Sequence, residues 1–240
     1  MNLKKITLTL LASSLLSFAA GADEISKEEL SRVTEQVKSW PEESKMAADF
    51  MVKKYGMPNG ITDSMLVWNN VKPFKRSIVY KEAVIHKFPK DHKDVLEHFI
   101  DYEAPSADKV AEVWKFDGSV MLERTKGEMS ARCDREEANI LAFNLADDII
   151  KGERSAEDAR MEYGRQILAL SKGKPQKITQ ELVFAPSSAF AGDSDESIMK
   201  KVETMQAEEE KQNENLDEKT IMDENESEKK HQEEIRTEEQ

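Results

Sequence analysis

Residues 117–152 read DGSVMLERTKGEMSARCDREEANILAFNLADDIIKG, and the fold turns on how this stretch is read. Residues 119–124 and 128–133 flank Lys126-Gly127, a pattern that predicts a β-hairpin. Asp134 and Glu137 follow as a capping pair. At about 100° per residue, Leu141, Ala142, Leu145, Ala146, Ile149 and Ile150 then fall on one apolar arc. Gly152 stands where a left-handed helix terminator belongs. A hairpin feeding an amphipathic helix predicts a sheet with that helix packed on it. Asn139 falls inside the apolar arc, where an unsatisfied amide costs about 1–3 kcal/mol. The preceding hairpin is the expected source of its partners, so its first role is to fix the fold and its second to line a site.

The neighbouring segments extend this pattern. Upstream, Pro105-Ser106 opens a helix carrying Val110, Val113 and Trp114, which Asp117-Gly118 stops. Residues 77–88 are rich in β-branched and aromatic side chains and predict a strand bent near Glu82, while 95–102 suits a helix or a strand. Nearer the N-terminus, Ser26 and Glu29 form a capping box for a helix with Leu30, Val33, Val37 and Trp40 on one face. Pro41 separates it from a second helix with Ala47, Phe50 and Met51. Thr62 is expected to cap a short third helix containing Met65, Leu66 and Trp68. Downstream, Ser155 and Asp158 start a helix with Ala159, Tyr163, Ile167 and Leu170, and residues 182–184 suggest a last edge strand. Without regular β-α-β alternation, the order predicts an α+β fold: a helical N-terminal part, then a small, mainly antiparallel sheet with packed helices.

Composition divides the 240 residues into three zones. Lys4 and Lys5, the apolar run 6–20 and Ala20-Gly21-Ala22 have the form of a secretory signal peptide cut after Ala22. Residues 23–186 are expected to form a single domain. Residues 187–240 are expected to form a disordered, acidic, low-complexity tail, with a solitary charged helix as its other form. Within it, residues 193–240 hold 18 acidic and 7 basic side chains, a net −11, with no aromatic, glycine or proline. Such an arm would attract cations or a basic protein partner. The whole chain has a net charge of −13, which argues against nucleic-acid binding, and no segment beyond the leader is apolar enough to insert in a membrane. The expected location is therefore the periplasm or the exterior. A lone Cys133 leaves no internal disulfide, so stability must come from the core.

Two constellations carry candidate chemistry. In the first, Arg124, Glu128 and Arg132 alternate along the hairpin and end beside Cys133 and Asp134 at a helix start. A helix N-terminus with two arginines could hold an anion, and Glu128 and Cys133 are the candidate catalytic groups of a small-molecule hydrolase or other enzyme. Arg124, Arg132, Asp134 and Asn139 are the candidate binding residues. In the second, His86, His92 and His98 lie within thirteen residues with Asp91 and Asp94 among them, and could bind a divalent metal if the loop at Pro89 folds them together. A phosphate-cradling glycine loop, a nucleophile elbow and paired C-x-x-C motifs are all missing, so no cofactor is expected. A non-catalytic binding or envelope-associated protein is the first reading and the enzyme the alternative.

Phe116 to Val120, Arg124 to Asp134 and Asn144-Leu145-Ala146 together resemble an exported bacterial protein family of unknown function. Tyr55-Gly56-Met57-Pro58, Trp68 and His86-Lys87-Phe88-Pro89 extend the resemblance over about residues 50 to 165. It implies export and no particular chemistry. Relatives often carry a histidine where this chain has Asp147, so any imidazole role there is absent here.

Overall fold

The computed structural model describes residues 27–187 and 195–238. The signal-peptide reading and the Ser26 capping position lie outside the described residues. Two compact units divide the chain at residues 192 and 193.

The first unit is α+β. Its elements are α1 (Lys27–Val37), α2 (Glu42–Tyr55), β1 (Gly60–Ile61), β2 (Met65–Asn69), β3 (Arg76–His86), β4 (His92–Asp101), α3 (Ala107–Phe116), β5 (Val120–Glu123), β6 (Glu128–Cys133), α4 (Glu136–Lys151) and α5 (Ala156–Ser171). The strands form one antiparallel sheet in the order β1-β2-β3-β4-β6-β5. Strand alternation gives the sheet two unlike faces. Leu66, Val79, Leu96 and Cys133 lie in one cross-strand row and are all buried, with Ser77, His98 and Ala131 in the next row. This inner face is covered in two halves. Val33, Val37, Trp40 and Met51 of the α1–α2 region pack on Leu66, Trp68 and Val79, and Phe116, Leu141, Phe143, Leu145 and Tyr163 of α3, α4 and α5 pack with Ile100, Met129 and Ala131. The opposite face carries polar pairs, among them Arg76 donating to Glu128 and Tyr80 donating to Glu97.

The hairpin of β5 and β6 and the helix α4 follow the reading of 117–152, and Gly152 adopts the left-handed conformation at φ 78°. The expected bend in β3 is a register shift between Val79 and Val84. Residues 95–102 belong to strand β4 as far as Asp101.

Four local expectations need correction. Residues 65–69 are strand β2, not a helix: Thr62 Oγ1 accepts the amides of Ser64 and Met65 in a tight turn, and Leu66 and Trp68 alternate inward against β3. Residues 182–184 form no strand, because the Asn144 side chain takes this segment onto α4 instead. Asp134 does not cap α4; Arg135 occupies the cap position with no side-chain bond to the helix N-terminus, and its guanidinium holds the Asp134 carboxylate through two nitrogens. Asn139 is fully buried, but it donates to the Leu96 carbonyl on β4 at 2.9 Å rather than to the hairpin.

The second unit contains α6 (Met199–Glu238), 40 residues long. Of the two forms open to the acidic tail, this is the solitary charged helix. Glu, Lys, Gln and Met favour helix, and pairs such as Lys230 with Glu226 stand one turn apart. Its described side chains are exposed apart from a half-buried Val202. Among the described residues, no helix is long and apolar enough to cross a membrane.

Candidate functional site

The β3–β4 hairpin pairs His86 directly with His92, and Asp94 lies two residues further along the same face of β4. The two imidazole centroids are 4.9 Å apart. His92 Nε2 lies 3.0 Å from Asp94 Oδ1, and His86 Nδ1 lies 3.4 Å from Asp94 Oδ2. One ligand atom from each residue falls within a 4.8 Å group. Cys133, at the end of the neighbouring strand β6, brings its Sγ to 3.3 Å from the same His92 Nε2.

Both rings are held from behind. His92 Nδ1 donates to the Lys90 carbonyl at 2.8 Å, which turns Nε2 inward. His86 Nε2 faces Asp117 Oδ1 at 3.6 Å, which turns Nδ1 inward. Asp117 is itself fixed at the end of α3, accepting the backbone N–H and the hydroxyl of Ser119, both at 2.8 Å. Asp94 is 3% exposed; its Oδ1 and His86 Nδ1 have no hydrogen-bond partner among the described groups.

Burial and close contacts shift the titration of the whole cluster. Burial works against the charge on Asp94, but the close imidazoles of His86 and His92 outweigh it and hold its carboxyl below the usual range. Burial also opposes a charge on His92, yet its contacts with Asp94 and Cys133 raise its pKa to about 11. The Cys133 thiol is pushed up by burial, against the pull of His92. Asp117 is raised by burial, against the bonds from Ser119. A cleft of about 60 Å³ opens on His92 and Cys133, lined also by Pro89, Lys90, Ala138, Tyr163 and Ile167.

His98 lies elsewhere. It is six residues past His92, about 20 Å along an extended strand, and is fully buried with its ring stacked on Phe74 at 3.9 Å. Ser77 Oγ meets its Nδ1 at 2.6 Å, and Glu136 Oε2 lies 3.6 Å from its Nε2. Glu136 in turn accepts from Lys54 and Tyr55. The order Ser77–His98–Glu136 is that of a hydrolase relay, but Ser77 has no exposed surface for a substrate to reach. This network joins α2, α4 and the sheet, and is structural.

The hairpin constellation does not converge. Glu128 and Arg132 point to the outer face, where Glu128 pairs with Lys75 and Arg76, and Arg132 lies over the Tyr80 ring. Cys133 is on the inner face, Asn139 is buried on α4 against β4, Asp134 is held by Arg135, and Arg124 is exposed in the turn. Strand alternation separates the residues proposed for an enzyme onto two surfaces. Sequence reasoning missed Asp117 altogether and gave Asp94 no ligand role of its own. The signal for Asp94 was its i, i+2 relation to His92, which has meaning only once the segment is known to be a strand; Asp117 reaches His86 only in the folded chain.

In comparison with protein-family models, with curated proteins and with solved structures, the chain matches none.

Proposed function

We propose that this is an exported, non-catalytic binding protein whose ligand is a divalent transition-metal ion held by His86, His92 and Asp94. One observation carries the reading. Both imidazoles present one nitrogen to the same buried carboxylate, while the other nitrogen of each is engaged by a backbone carbonyl or a second carboxylate. Metal-binding histidines are oriented in this way, because the outer partner fixes the tautomer and leaves the inner lone pair for the ion. Export rests on the leader and on the family resemblance. The net −11 of residues 193–240 adds a diffuse attraction for cations or a basic partner.

Equilibrium dialysis of the chelator-stripped protein, residues 23–240, against zinc tests the proposal. One equivalent is expected to bind and to be lost in Asp94→Asn and His92→Ala, while Glu128→Gln, altered on the other face of the sheet, retains it. If the native chain holds zinc no better than Asp94→Asn does, the reading is wrong.

A further inference from the structure

We infer that Cys133 is the fourth ligand of this centre, which makes it a closed site of two imidazoles, one carboxylate and one thiolate for a zinc-class ion rather than an open catalytic one. The inference rests on the reading of His86, His92 and Asp94 as metal ligands.

Cys133 ends β6 on the inner face, opposite Leu96, so its side chain emerges on the same face as Asp94, two residues along β4. Its Sγ and Asp94 Oδ1 approach the same atom, His92 Nε2, at 3.3 and 3.0 Å. That nitrogen carries one proton or one lone pair and cannot serve both partners. Its sister Nδ1 is already committed to the Lys90 carbonyl. A Cys–His–Asp relay would require the carboxylate on Nδ1 and the thiol on Nε2, which is not the arrangement here. A cation shared by the three groups removes the conflict and gives the buried, unpartnered Asp94 Oδ1 its partner.

The spacings agree. Zinc bonds of about 2.0–2.3 Å in a tetrahedron place neighbouring ligand atoms about 3.3–3.6 Å apart. His92 Nε2 lies 3.0 Å from Asp94 Oδ1 and 3.3 Å from Cys133 Sγ, and His86 Nδ1 lies 3.4 Å from the other carboxylate oxygen, Oδ2; the atoms of His86, His92 and Asp94 spread over up to 4.8 Å, so the ligands would draw in around the ion. On binding, the thiol would lose its proton to solvent and its sulfur would bond the ion. A thiolate beside two imidazoles selects zinc, cobalt or copper over magnesium and calcium. Four protein ligands leave no position for a reacting water, in keeping with binding rather than hydrolysis.

Cobalt(II) is the probe. The native protein with one equivalent of cobalt is expected to show a thiolate-to-cobalt charge-transfer band in the near ultraviolet and the intense visible bands of four-coordinate cobalt. Cys133→Ser is expected to keep cobalt, more weakly, and to lose the near-ultraviolet band. Stoichiometric binding by the native chain without that band overturns the fourth ligand but leaves the three-ligand proposal standing. Failure to bind zinc or cobalt overturns both. The native spectrum is decisive alone, so a Cys133→Ser chain that fails to fold does not weaken the test.

Discussion

Cys133 Sγ lies 3.3 Å from His92 Nε2, although the two residues are 41 positions apart in the chain. The contact exists because β4 and β6 are neighbours in the sheet while β5 and α3 intervene in sequence. It brings together one thiol, two imidazoles and a buried carboxylate, and the stability of the domain should respond to what they hold.

Ligand binding to the native state alone raises stability. At a free zinc concentration a hundredfold above Kd the gain is about 2.7 kcal/mol, or about 5–10 °C in Tm for a domain of this size. Calorimetry with and without chelator should show this rise in the native protein and none in Asp94→Asn. An equal rise in both would place the ion elsewhere.

His98 should dominate the acid limb of the stability curve. Burial, and then the nearby Lys54 charge, push its pKa down to about 3, well below the ordinary histidine value. The unfolded chain therefore binds the extra proton first as pH falls. The stabilisation is fully present above about pH 6.5 and is lost below it, at about 1.4 kcal/mol per pH unit, until the folded pKa is reached. Denaturant titrations in chelator between pH 7 and 4.5 should show this slope, and His98→Phe, which keeps a ring to stack on Phe74, should flatten it. An unchanged slope in the variant would assign the acid sensitivity to other groups.

Asn144 fastens the C-terminal end of the first unit to α4. It donates to the carbonyls of Ile178 and Glu181 at 2.8 and 2.9 Å and accepts the Val183 amide at 2.9 Å. Asn144→Ala leaves these backbone groups without their partner, at a cost of about 1–3 kcal/mol. Limited proteolysis should then cut residues 177–187 several-fold faster. Equal rates in the two proteins would show that the segment is held by its apolar contacts alone.

Removing residues 193–240 should lower the helical circular-dichroism signal yet shift the Tm of the first unit by less than about 2 °C, since among the described side chains of α6 only Val202 is partly buried. A large drop would reveal packing between the two units.

The elements were legible where local chemistry was strong. Lys126-Gly127, the apolar arc of α4, Gly152 and the Ser155–Asp158 cap each state their structure within a few residues. Met65 to Asn69 misled because Leu66 and Trp68 fit a helical spacing as well as a strand, and only pairing with β3 decides between them. The candidate site was half legible. His86 and His92 flank a proline turn, so their meeting follows from the hairpin, whereas the inclusion of His98 ignored the length of an extended strand.

By itself, the sequence determined the α+β class, the hairpin and helix of residues 117–152 and the acidic character of the tail, because capping, turn chemistry and apolar periodicity act over a few residues. Tertiary structure decided which side chains share a site. Strand order set Cys133 against His92, strand alternation sent Glu128 and Arg132 to the other face, and the end of α3 brought Asp117 to His86. Such contacts depend on the register between distant strands, which is fixed by burial across the whole sheet rather than by any local run of residues.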